Sequence, residues 1–209
     1  VKKIVEMLAA AAATLASLVG CGGKVVVDLN GPNDTAEGII IQPDGKILIV
    51  GLRAHNIVLV RLLSNGAFDE DFGMNGKVIS TLAGVSQISS VFIQNDSVIV
   101  VGLDIWGSII AQFAMDGSLQ DHFSLGDIEI YSAKQDAQGR ILLGGSSGTW
   151  QNGTLLVVRM TAFKQFDASF GEQGIVLNQG YSAVLDIEVD ATGRIIVAAQ
   201  WPDDASYRL

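Results

Sequence analysis

Gly144-Gly145-Ser146-Ser147-Gly148 fits G-x-S-x-G, a pattern that raises a nucleophilic serine on a sharp strand-to-helix turn near a histidine base. The residues that follow, Thr149 to Val158, spell a turn and then a strand rather than a helix. Gly145 also recurs as Gly51 and Gly102, which gives the glycines a backbone role, and no catalytic role is assigned to Ser146. His55 and His122 fall in loops at unrelated positions, without the neighbouring Cys or His that metal-ligand spacing requires. Asp69, Glu70 and Asp71 form the densest acidic group, but EF-hand spacing is missing. Asp69 recurs as Asp167, which marks it as a turn residue. Trp106, Trp150 and Trp201 occupy comparable loops, where aromatic faces can stack on a sugar or a peptide. They are the ligand-contact candidates. Asp104, Asp203 and Asp204 supply carboxylates for a rival reading, an envelope enzyme acting on carbohydrate, whose paired acids must converge within about 5–10 Å. The sequence offers no catalytic, cofactor-binding or metal-binding constellation.

The elements that position these residues are hairpins. Ile39 to Gly51 places two apolar runs around Gln42-Pro43-Asp44-Gly45. Proline presets φ for a type I turn, and Gly45 supplies positive φ at the closing bulge. The pattern returns at Ile93 to Gly102, at Lys134 to Gly145 and at Glu188 to Ala199. Asn95-Asp96 in the second copy suits a tighter turn with positive φ at both central residues. Both flanks of the first copy are apolar at every position, so strands covered on both faces are expected.

A third apolar strand follows each hairpin, at residues 56–66, 108–117 and 154–163, with Arg61, Gln112 and Arg159 in equivalent places and Arg208 in the fourth. Eleven residues after each of the first three comes Phe72, Phe123 or Phe170. Each of these leads toward a further strand, Lys77 to Thr81, Ile128 to Ser132 and Ile175 to Gln179, giving units of about 50 residues and four strands. Such units indicate an all-β, repeat-built β-propeller of about four blades, open or shortened if the ring does not close. Lys24 to Asn30 matches a fourth strand and is expected to complete the last blade, closing the ring.

The segments Phe166 to Gly174 and Gln42 to Gly51 closely resemble the delta-60 repeat of bacterial surface proteins, which are thought to form propellers. The resemblance extends over residues 24–209. The second copy departs from it, with Gln120 for aspartate and Ser124 for glycine. The family carries no agreed catalytic or binding residues, so none is transferred.

Residues 1–20 have the layout of a secretory signal. Lys2 and Lys3 precede an apolar run, Met7 to Val19, too short for the roughly 20 residues that span a bilayer as a helix. Leu18-Val19-Gly20-Cys21 resembles the bacterial lipobox, which implies cleavage before Cys21 and lipid on that cysteine, the only one in the chain. The expected organisation is a signal at 1–20, a lipidated tether at 21–23 and a propeller at 24–209. Gly22, rather than aspartate, follows the cysteine, which by resemblance to other lipoproteins implies the outer rather than the inner membrane if the host is Gram-negative. With 209 residues, 49% of them hydrophobic, the chain can bury a sizeable core. Its net charge of −9 disfavours nucleic acid, whose phosphates need clustered Lys and Arg. The expected function is a lipid-anchored, non-enzymatic binding or scaffolding module, its partner an envelope protein or glycan. A purely structural surface module is the other alternative.

Overall fold

The computed structural model describes residues 34–148 and 153–200, together with the backbone of Val5–Glu6 (β1) and Lys24–Val25 (β2). The described residues are all-β. Blade 1 contains β3 (Thr35–Ile41), β4 (Ile47–Arg53), β5 (Asn56–Leu62) and β6 (Lys77–Ile79) in that order across an antiparallel sheet. Blade 2 repeats this with β7 (Gln87–Gln94), β8 (Ser97–Asp104), β9 (Gly107–Ala114) and β10 (Leu119–Ser124). Blade 3 has β11 (Ile128–Gln135), β12 (Ile141–Ser147) and β13 (Thr154–Ala162), with β14 (Gln165–Phe166) and β15 (Ile175–Asn178) both on the far side of β13. Blade 4 is described as β16 (Ala183–Val189) and β17 (Ile195–Gln200). The first strands of successive blades touch in series, β3 with β7, β7 with β11 and β11 with β16. This serial stacking of blades, seen among the described residues, is the β-propeller arrangement.

The hairpin turns form as their residues dictate. The Gln42 N–H donates to Lys46 O at 2.8 Å, the Gly45 N–H donates to Gln42 O at 2.9 Å, and Gly45 takes φ 82°. Asn95 and Asp96 adopt φ 47° and 56°, the double left-handed turn expected of a two-residue connection. The second strands β4, β8 and β12 are buried almost throughout, because each is central in its sheet and the blade is covered on both faces. The first strand of blade 1 corrects the sequence reading. Ile39 and Ile41 on β3 are 48% and 64% exposed, while Gly38 packs against Val91 of blade 2. Only one face of β3 has a neighbouring blade among the described residues.

Each first strand also carries a bulge at the same place, at Glu37, Ser89, Tyr131 and Leu185. A bulge bends its strand and sharpens the local twist. A Cβ at Gly51 would lie 1.9 Å from Thr35 O, at Gly145 1.9 Å from Glu129 O, and at Gly102 2.7 Å from Gln87 O. At the end of each of the first three hairpins a Cβ would therefore collide with the carbonyl two residues before the bulge. The fourth blade carries the same bulge opposite Ala199, so it is this close approach, rather than the bulge alone, that favours glycine in the first three.

Between blades, side chains pack and polar groups stitch the stack. Leu48, Val50, Leu59, Val98, Val100 and Phe113 fill the space between blades 1 and 2, and Ile99, Val101, Ile130, Ile141, Leu143 and Val158 that between blades 2 and 3. Each such side chain contributes about 1.5–3 kcal/mol on burial. The Ile88 N–H donates to Glu37 Oε2 at 2.7 Å, the Ile130 N–H to Ser108 Oγ at 2.6 Å and the Ala133 N–H to Ser90 Oγ at 2.8 Å. Between blades 3 and 4, the Ser132 hydroxyl donates to Asp186 Oδ1 at 2.7 Å and Lys134 pairs with Glu188 at 2.7 Å. Backbone groups displaced from the ladder by the bulges thus find side-chain partners on the neighbouring blade.

One further sequence expectation is corrected. Ile128 to Ser132 is not the fourth strand of blade 2; it opens blade 3 as β11, and the fourth place in blade 2 belongs to β10. The expected closing strand, Lys24 to Asn30, is described only at Lys24–Val25, whose partner is Val5–Glu6 rather than blade 4. The rest of that expectation lies outside the described residues.

Candidate functional site

The recurring charged residues are used within and between blades. The Arg61 guanidinium donates from Nε to Asp69 Oδ2 at 2.6 Å and from Nη1 to Met115 O of blade 2 at 2.6 Å, and it lies 4.3 Å above the Phe72 ring. Lys46 Nζ adds a contact to Asp69 at 3.0 Å. The hydrogen bond from Lys46, and then Arg61, hold the Asp69 carboxyl below its ordinary range although burial opposes them. Blade 3 repeats the device, with Arg159 2.8 Å from Asp167 and 4.4 Å from the Phe170 ring. In blade 2 the pair is replaced by neutral groups. Gln112 Nε2 donates to Ser97 Oγ at 3.0 Å, and the Ser97 hydroxyl donates to Gln120 Oε1 at 3.3 Å. Phe123 consequently does not match Phe72 and Phe170; it lies on β10, edge-on to Phe163 of blade 3 at 5.2 Å.

Ser146 lies within β12, not in a turn between strands. Its hydroxyl is fully buried and donates to Ser182 O across the interface with blade 4 at 2.8 Å. His55 is exposed in the β4–β5 turn, but His122 is exposed on strand β10 rather than in a loop. Glu70 and Asp71 are exposed beside the buried Asp69. Among the described residues, no group of three His, Cys, Asp or Glu is placed to hold a metal ion. Cys21, Trp150, Trp201, Asp203, Asp204 and Arg208 lie outside the described residues.

Trp106 is the ligand-contact candidate that the structure places. β8 and β9 pair up to Asp104 and Gly107, leaving Ile105 and Trp106 as the connection. The Trp106 N–H donates to Asp104 Oδ1 at 2.7 Å, an Asx turn that fixes the tip. Gly107 adopts φ 127°, and a Cβ there would meet Gly126 O at 1.7 Å, so the turn is pressed onto the link between blades 2 and 3. On this braced turn Ile105 and Trp106 are 81% and 72% exposed. Ile105 went unnoticed in the sequence, although an isoleucine in a two-residue connection is itself a signal, since such turns favour Gly, Asn and Asp. A second apolar feature, a groove of about 540 Å³ between blades 3 and 4, is lined by Leu155, Val157, Phe170, Val176, Tyr181 and Val197.

Antiparallel blades stacked in series and stitched by side chains define a β-propeller. A family model described as a domain of unknown function (DUF5122) beta-propeller matches residues 42–72, the first hairpin through Phe72. Solved structures with a similar arrangement include the WD40 β-propeller domain of Doa1, at 16% identity and TM-score 0.47, covering 80% of this chain and 49% of that one. Streptogramin B lyase aligns at 12% identity and TM-score 0.47, covering 87% and 59%. Virginiamycin B lyase from Staphylococcus aureus aligns at 14% identity and TM-score 0.40, covering 82% and 57%. The chain therefore spans about half to three-fifths of the length of these proteins. No curated protein matches the sequence.

Proposed function

We propose that this chain is a lipid-anchored cell-envelope β-propeller that binds or scaffolds an envelope protein or glycan and catalyses no reaction. The observation that carries this reading is the division of labour among side chains. Arg61, Asp69, Arg159, Asp167 and Ser146 are engaged in holding the blades, while the braced Asp104–Gly107 turn offers Ile105 and Trp106 to the outside. Rigid loops at the ends of a propeller suit recognition, because little ordering entropy is lost on binding. The anchor rests on the short apolar run Met7 to Val19 before Cys21 and on the lipobox resemblance, and Gly22 supports the outer membrane if the host is Gram-negative.

Fractionation of cells expressing the full chain and Cys21→Ala tests the anchor. The native chain is expected in the membrane fraction and the variant in the soluble fraction. Equal membrane retention of both contradicts the reading. Cross-linking at the intact cell surface then identifies the protein or glycan held.

A further inference from the structure

We propose that the Ile105–Trp106 tip is a second membrane contact, inserted into the uncharged headgroup and acyl boundary of the bilayer that holds the lipid anchor. The inference rests on the anchored reading above and names what this turn touches.

Topology gives the first argument. Thr35, which opens β3, pairs with Leu52 beside the β4–β5 turn. Every first strand runs away from that end, and the Asp104–Gly107 turn lies at the same end of blade 2, next to the start of β7. The described chain thus enters β3 at the end that carries Ile105 and Trp106. A lipid on Cys21, 14 residues before Thr35 in the sequence, would keep the bilayer within tether reach of that end.

Shape and chemistry give the second. Two neighbouring side chains, one aliphatic and one indole, are exposed together at a two-residue hairpin tip. A sugar is gripped by a platform with polar groups around it, whereas an exposed tip of this composition fits the interfacial zone where tryptophan is enriched. The Asx bond from Trp106 N–H to Asp104 and the close approach of Gly107 to Gly126 satisfy and brace the turn, so its apolar pair can insert without refolding. Charge sets the lipid class. The chain carries −9 overall, and Asp127 is exposed beside the bracing Gly126, so anionic headgroups are repelled and the contact is apolar.

The test uses the full, lipidated chain carrying Trp150→Phe and Trp201→Phe, reconstituted in phosphatidylcholine vesicles with brominated acyl chains. Trp106 emission is expected to be quenched by the bromolipid and shielded from aqueous iodide, and Ile105→Ser in the same background is expected to restore much of the emission. Should the double variant fold poorly, the native chain is compared with Trp106→Phe, and the bromolipid-quenched part of the emission is expected to shrink. If Cys21-dependent retention holds but Trp106 stays open to iodide and untouched by bromolipid, the tip inference falls alone and a glycan or protein becomes the occupant. If fractionation shows no Cys21-dependent retention, the anchored reading falls and takes this inference with it.

Discussion

Arg61 and Asp69 explain why a charged pair recurs in chains whose blades are otherwise apolar. The guanidinium closes the loop between the third and fourth strands through Asp69, and its remaining donor crosses to Met115 O of the next blade. Removing the carboxylate leaves a partly buried cation with one fewer partner. Asp69→Ala is expected to lower stability by about 2 kcal/mol, read as a fall in the urea midpoint. The Arg-to-Phe spacing was legible in the sequence because cation–π stacking fixes both residues relative to the strand. The same spacing misled in blade 2. There Gln112 has no charge to stack, the hydrogen-bonded run through Ser97 and Gln120 replaces the ion pair, and Phe123 turns to Phe163 instead.

At the scale of elements, the hairpins and their turns were legible because proline, glycine and Asn-Asp each have a specific backbone consequence. The blade boundary after β10 was not. Blade 2 lacks the loop that delays the fourth strand in blades 1 and 3, so residues 119–124 pair directly with β9 and the next strand already belongs to blade 3. The bulges were also hidden, since an inserted residue leaves no compositional mark. Their consequence is testable at the glycines opposite. Gly51→Ala and Gly145→Ala place a methyl group 1.9 Å from a bulge carbonyl, against 2.7 Å for Gly102→Ala. Thermal melts are expected to rank Gly102→Ala as the mildest, with the other two losing about 2 kcal/mol or more. Equal losses at all three would show that the distance to the carbonyl does not set the cost.

The whole molecule combines acidic character with carboxylates held by hydrogen bonds. Lys46 and Arg61 lower the Asp69 pKa, and at Asp190 the Thr192 hydroxyl, followed by the Arg194 N–H and guanidinium, brings it down to about 2. A carboxyl depressed in the folded state adds stability above its unfolded value, about 3.9, that is lost as pH falls through the folded value. Stability from these groups is therefore expected to be level from neutral pH to about 5 and to drop between about 4 and 2, as equilibrium unfolding at each pH would report. Where the propeller resides decides what it can bind. Mass spectrometry of the N-terminal peptide of the protein purified from cell membranes addresses that directly. The prediction is a chain beginning at Cys21 with lipid on that residue; residues 1–20 still attached, or an unmodified Cys21, would contradict it.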